Sequence, residues 1–512
     1  MIINTNENYG GKVMIKINKK INIKKEDLIT YIIIFIITCI IFAPFLVGHY
    51  STDTYNIYNR GYFEYATKYS LNDGRLFMGV IGLIASVINI PIKAYVIFTL
   101  LGGLVLSCIA VIVLKNIIQK YKEPKNNIQK VIIIAISYIT IFNFMYLDNL
   151  YFVESIVMAL SILLFIISAD TLTERKEKYI LKSTILTILG ILCYQGSIGM
   201  FFAYVALFSI LKNKKDVKKI ITDLILSGVM AIIAVAIDLL AIKIVGKVIG
   251  TEQTRFGSLS DIFNNIIYIF TTFSYLMENC CGLFPSKLFI IYFITLSAIV
   301  LLYSIKNKKY SILIQYVAVV LITIASAYVM NLTTLTSFFS GRLKNPIGAL
   351  VGIIFMFVYV QTDIFEKENG LDNLVVAILA SFVIINTLNY QSIIIEHKKV
   401  NKLEEKEASE IEEYIEQYEK ETNIKVKKIT KIPVRKKINK VYFDEVLTKS
   451  NYGENAIRTY WGCEGAVNFY TKRNLENVII TEKLWKYYLE KTDFEKGYEC
   501  VGDTLFINVY RI

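Results

Sequence analysis

The sequence predicts an α-helical polytopic membrane protein with about 11 transmembrane helices, surface helices in the first outer loop, and a small C-terminal α/β extracytoplasmic domain. Three observations carry this expectation. Of the 512 residues 54% are hydrophobic, and the mean hydropathy of +0.49 lies outside the range of soluble domains. Only six prolines interrupt the apolar runs, which argues against a disordered or fibrous chain. The charge is also divided: of 56 Lys and Arg with 43 Asp and Glu, 43 charged residues fall in the last 123 positions.

Residues 1–27 are basic and lack a short apolar core followed by a cleavage site, so they read as a cytoplasmic lead-in. A spanning helix needs about 20 apolar residues. Runs of this kind lie near 28–48, 92–114, 131–147, 152–168, 181–194, 196–211, 219–246, 287–305, 310–330, 346–361 and 372–389. The stretch Leu76–Ile90, fifteen residues ended by Pro91, is too short to cross comfortably, and it decides the topology. If it crosses, the lysine-rich segments 115–130, 212–219 and 306–309 fall outside, against the positive-inside rule. If it lies in or dips into the outer surface, the inner segments hold 24 Lys and Arg against nine in the outer loops. The second arrangement is the expected one.

An odd number of crossings that starts inside finishes outside. The domains are therefore the lead-in 1–27, a membrane domain 28–389 and an external domain 390–512 of a multi-pass plasma-membrane protein. In the tail, 402–421 has helical period, and 478–480 and 505–510 look like strands. Cys463 and Cys500 would face an oxidising space, where a disulfide between them is open.

The net charge of +13 belongs to the membrane part, because the tail holds 22 bases and 21 acids. Nucleic acid is not an expected partner. Two histidines leave little room for a His-built metal site. There is no phosphate-binding Gly-Lys loop, dinucleotide turn or HExxH helix. Energy for any reaction must come from a preformed donor or a gradient.

The outer loops hold the polar groups that a span cannot explain. Asp53 follows the first span in Ser51-Thr-Asp-Thr; it can cap a helix or act as a general base, and spacing leaves both open. Tyr55, Tyr58, Tyr62, Tyr65 and Tyr69 alternate at intervals of three and four, which predicts one aromatic face on a helix lying along the membrane. Such a face is an interfacial belt or, for Tyr55 and Tyr58, a sugar-stacking surface. Asn72-Asp73-Gly74-Arg75 is a turn whose Arg75 can face a phosphate. Asp148 and Glu154 flank a short outer turn, where a carboxylate is costly unless paired or functional, and they are the second acid candidates; a solvated turn is the plain alternative, slightly favoured for Glu154. Arg342, Lys344 and Arg255 are phosphate candidates, with helix-end snorkelling the plainer account of Lys344.

These features resemble the GT-C class of polytopic glycosyltransferases, and more narrowly the bacterial Gtr type II glucosyl transferases. The likeness rests on Ser51-Thr-Asp53-Thr, on Leu71-Asn-Asp-Gly-Arg75 before a surface helix, on the many spans, and on a tail ending Asp503-Thr-Leu-Phe-Ile-Asn-Val-Tyr510. The resemblance implies inverting transfer of a sugar, glucose by the family's pattern, from a polyprenyl-phosphate donor to an envelope glycopolymer at the outer face of the membrane. It puts the base at Asp53, with Asp73 as a substitute for the second acid that many members carry. It leaves room for a divalent metal between carboxylate and phosphate. The alternative class is a transporter or flippase of a lipid-linked saccharide, which should display internal repeats or broken spans.

Overall fold

The structure, a computed structural model, describes residues 25–214, 216–250, 261–267, 269–270, 280–333, 340–366, 370–433, 455–459, 461–478 and 497–509. Most of the lead-in 1–27 and Arg255 lie outside them. In chain order the principal helices are α1 (Lys25–Ile41), α2 (Thr52–Arg60), α3 (Leu76–Ile88), α4 (Ile92–Tyr121), α5 (Asn127–Ile141), α6 (Leu147–Tyr151) and α7 (Ser155–Glu174). They continue with α8 (Tyr179–Cys193), α9 (Ile198–Asn213), α10 (Val217–Ile249), α11 (Ser286–Lys306), α12 (Tyr310–Ser326), α13 (Asn345–Gln361) and α14 (Leu371–Thr422).

Each of the eleven apolar runs forms a helix. In an apolar surrounding a single segment can satisfy its own N–H and C=O groups only that way. Among the described residues six helices, α4, α7, α9, α10, α11 and α14, are long and apolar enough to cross a membrane, and α5 with α6 makes a seventh if the bent pair is one span. The others, α1, α8, α12 and α13, have 15 to 17 residues. Ile32, Ile36 and Ile40 of α1, Ile225, Val229 and Ile232 of α10, and Ile384 and Leu388 of α14 are exposed and form the apolar outer belt of a membrane-embedded protein. At the centre, α13 is buried from Asn345 to Val360.

Asp27 at the start of α1 accepts a hydrogen bond from Lys115, near the end of α4, at 2.6 Å. The two helices therefore run in opposite directions, and the chain between them turns back at the far end of the bundle. Its helix α3 has 13 residues, about 20 Å, less than the thickness of a hydrocarbon core. It packs Met78, Gly79, Gly82 and Ala85 inward and exposes Phe77, Val80, Ile84 and Val87.

The expected single face of five tyrosines is not formed. Helix α2 ends at Gly61, whose φ of +85° belongs to the left-handed region that glycine alone enters freely, and the chain then adopts a π-helical turn over Tyr65–Leu71. Both breaks change the angular step that a spacing of three and four assumes. Tyr55 and Tyr58 face the C-terminal module, Tyr62 packs edge-on against Tyr95, and Tyr65 stacks on Tyr69.

Helix α14 runs 52 residues without a break through positions 389 and 390, so no linker separates the two regions there. Its charged half, including the predicted helix 402–421, carries the module. The strands are β1 (Lys428–Pro433), β2 (Glu476–Asn477), β3 (Tyr498–Val501) and β4 (Thr504–Val509), with helix α15 (Cys463–Thr471) between β1 and β2. The sheet order is β2-β1-β4-β3, with β1 parallel to both neighbours and β3 antiparallel to β4. The predicted strand 505–510 coincides with β4, whereas of the predicted strand 478–480 only Val478, bonded to Ile429, is described. Ile411 and Ile415 of α14, Ile429, Val467, Leu505 and Ile507 make a second core. Cys463 and Cys500 are both buried, unpaired thiols, because one heads α15 and the other lies on β3 against Tyr414.

Candidate functional site

The site lies at the end of the bundle where α3, α6, α9 and α13 meet. Helix α5 stops at Phe142, and Asn143 accepts from the amides of Met145 and Tyr146 at 3.1 and 3.2 Å, which starts a new helical segment bent by 46°. That bend delivers α6, and with it Asp148, to the junction.

Asp148 is buried and accepts from the Ser340 hydroxyl at 2.6 Å and the Arg342 amide at 2.8 Å. The segment before α13 is thereby fixed, and the Arg342 guanidinium lies 4.1 Å from the centre of the Phe152 ring. Glu154, 1% exposed, receives Arg75 Nη1 on both oxygens, at 2.6 and 2.5 Å, and the Tyr65 hydroxyl at 3.4 Å. The solvated-turn reading of Asp148 and Glu154 is therefore wrong. A carboxylate in so apolar a place persists only with a cation or donors against it.

Asp53 sits in the first turn of α2. Ser51 forms the cap with Thr54, its hydroxyl accepting the Thr54 amide at 3.4 Å, so Ser51 and not Asp53 is the N-cap residue. Burial, then Asp53 and Glu154, hold the Tyr65 phenol well above its ordinary range. Asp53, Asp148, Arg75 and the Tyr194 phenol all act on Arg342. Thus Asp53, Arg75, Asp148, Glu154 and Arg342, drawn from three separate loops, share one electrostatic neighbourhood. Asp73 belongs to it through Arg75.

Three candidates do different work. The Tyr55 hydroxyl donates to Glu404 at 2.5 Å and meets the Tyr470 hydroxyl at 2.8 Å, while Tyr58 packs edge-on against Phe469; both rings dock the C-terminal module. Lys344 is buried, not snorkelling: its ammonium donates to the Ala327 carbonyl at 2.9 Å and to Asn331, over the Tyr328 ring.

Gln195 and Asp238 were not singled out by sequence reasoning. Gln195 fills the gap between α8 and α9, and its amide donates to the Asp73 carbonyl at 2.9 Å and to Asp238 at 3.0 Å. The available signal was an acid inside an apolar helix, a costly placement. Several buried polar atoms here, Arg75 Nε, Asn149 Nδ2, Ser155 Oγ, Ser197 Oγ and Asp238 Oδ1, have no hydrogen-bond partner among the described residues. Among the same residues no group of three or more His, Cys, Asp or Glu is arranged to hold a metal. No protein-family model matches the chain, and no curated protein matches it.

Proposed function

We propose that the protein is an inverting glycosyltransferase that moves a sugar from a polyprenyl-phosphate donor to an envelope glycopolymer at the outer face of the membrane. The observation that carries the reading is the convergence of one first-loop carboxylate, Asp53, with two half-buried arginines, Arg75 and Arg342, at one end of an apolar bundle. The exposed apolar face of α3 adjoins this cluster and supplies a surface for a prenyl tail. Such a junction of hydrocarbon, cations and a base suits a donor with a lipid end and a phosphate end.

In this mechanism Asp53 takes the proton of the acceptor hydroxyl while its oxygen attacks the anomeric carbon. The bond from that carbon to the phosphate oxygen breaks, and its electron pair leaves on the phosphate. Arg342 and Arg75 stabilise the departing charge, Arg342 held by its backbone to Asp148 and Arg75 by Glu154. A phosphate leaves without a general acid more readily than an alkoxide does. The reading assigns an outer position to the site and to the C-terminal module, and eleven crossings to the chain.

A carrier of a lipid-linked saccharide is the second reading, and the bent α5–α6 pair is the feature in its favour. One assay separates the two. Purified protein is given labelled polyprenyl-phosphate glucose and cell-surface polymer, and free polyprenyl phosphate is measured. Polymer-dependent release supports transfer, whereas movement of intact donor across a vesicle membrane without release would sink it.

A further inference from the structure

Asp238 is 1% exposed and lies 21 residues into the apolar helix α10. One carboxyl oxygen, Oδ2, accepts from Gln195, and the other has no partner among the described residues. The same Gln195 amide donates to the Asp73 carbonyl, one bond away from Gly74. Gly74 adopts φ +81°, and a Cβ there would lie 2.7 Å from Asp238 Oδ1 and 2.8 Å from Ile242. The Asp73–Arg75 turn is thus pressed against α10 with no room for a side chain, and Arg75 leaves it directly for Glu154.

We infer that Asp238, acting through Gln195, is a positioning residue: it fixes the Asp73–Arg75 turn against the membrane helix and so aims the Arg75 guanidinium at the anion of the substrate. The placement of the turn stands on the geometry alone; the anion it serves, a lipid-borne phosphate, rests on the transferase reading. A carboxyl group so deep in an apolar helix is otherwise a cost without return. Gln195 gives it a partner, because one amide nitrogen ties the Asp73 carbonyl, 122 residues earlier in the chain, to Asp238 on α10, 43 residues later.

The test is the protection of Arg75 from an arginine-selective dicarbonyl reagent, read by mass spectrometry on the full-length protein in detergent. Asp238→Asn keeps an oxygen acceptor for Gln195 and should leave Arg75 within about twofold of its native rate. Asp238→Leu and Gln195→Leu each remove the link and should raise modification of Arg75 about tenfold, the factor expected from one lost hydrogen bond. If Asp238→Leu does not fold, Gln195→Leu carries the comparison alone. Unchanged protection in the leucine variants overturns the inference. A second arm measures binding of farnesyl phosphate with inorganic phosphate as control: the leucine variants should weaken the prenyl ligand about tenfold, with Asp238→Asn restoring it. If farnesyl phosphate fails to bind even the native protein while Arg75 responds as expected, the transferase reading fails and the positioning role stands.

Discussion

The two ends of the helix bundle handle charge in opposite ways. At the end where α1 begins and α4 finishes, acids and lysines meet mostly at the rim: Lys130 with Glu26 at 2.9 Å, Lys120 with Asp170 at 2.6 Å, and Lys122 with Glu366 at 2.8 Å, with Lys130, Glu26 and Lys120 at least 40% exposed, while Lys115 with Asp27 is the more buried pair there. At the other end Arg75, 12% exposed, meets Glu154, 1% exposed, and Asp148 and Lys344 are buried among their hydrogen-bond partners. Exposed pairs are screened and cost little to form or lose, whereas a buried pair is held against a desolvation penalty that folding alone gives no reason to bear. On the proposed transferase reading, the second end is where the protein acts.

The comparison is broken most sharply by Asp53→Asn. Transfer should fall by about a hundredfold or more, the usual contribution of a positioned base, while the protein still folds and reaches the membrane; unchanged polyprenyl phosphate release would remove Asp53 from the mechanism. Next in size, Glu154→Ala leaves the half-buried Arg75 without its carboxylate and should lower stability by about 2–4 kcal/mol, measured as the midpoint of unfolding in detergent. Lys130→Ala at the opposite end should cost less than about 1 kcal/mol in the same measurement. Equal losses at the two ends would erase the distinction.

Much of the second end was legible in the sequence. Asp53, Arg75, Asp148, Glu154 and Arg342 stand out because each is a charge at the edge of an apolar run, where only pairing or function keeps it. Their partners were not legible, since pairing joins positions as far apart as Asp148 and Ser340 and depends on how helices pack. The tyrosine face failed for a local reason, a glycine break followed by a π-helical turn, which sequence spacing does not report. Asp238 was visible as an acid in a 33-residue apolar helix, yet its meaning needed Gln195, a residue lodged between two helices. The strand Thr504–Val509 was recovered because alternation and β-branched residues fix it locally.

Two smaller effects sharpen the picture around the first loop. Tyr55→Phe removes the phenol that donates to buried Glu404, and docking of the C-terminal module should weaken by about 1–3 kcal/mol, seen as faster proteolysis between α14 and α15. Burial pushes the His49 imidazole down to about 4 from its ordinary 6.5, although its Nε2 lies 2.9 Å from the Tyr151 carbonyl. The unfolded chain then takes up the proton first, so the stability tied to His49 is complete above pH 6.5 and is lost as the pH falls toward 4. His49→Gln should flatten the dependence of the unfolding midpoint on pH across that window.

The unbroken helix from Leu371 to Thr422 has a mechanical consequence. A shaft of this kind has no elbow, so α15, which packs on the first loop at Tyr55 and Tyr58, is a roof of set height rather than a door. On the proposed transferase reading, an acceptor polymer would be sorted by whether its free end fits beneath that roof. Inserting a proline or two glycines midway along the shaft should therefore change which chain lengths are accepted before it changes how tightly they are held.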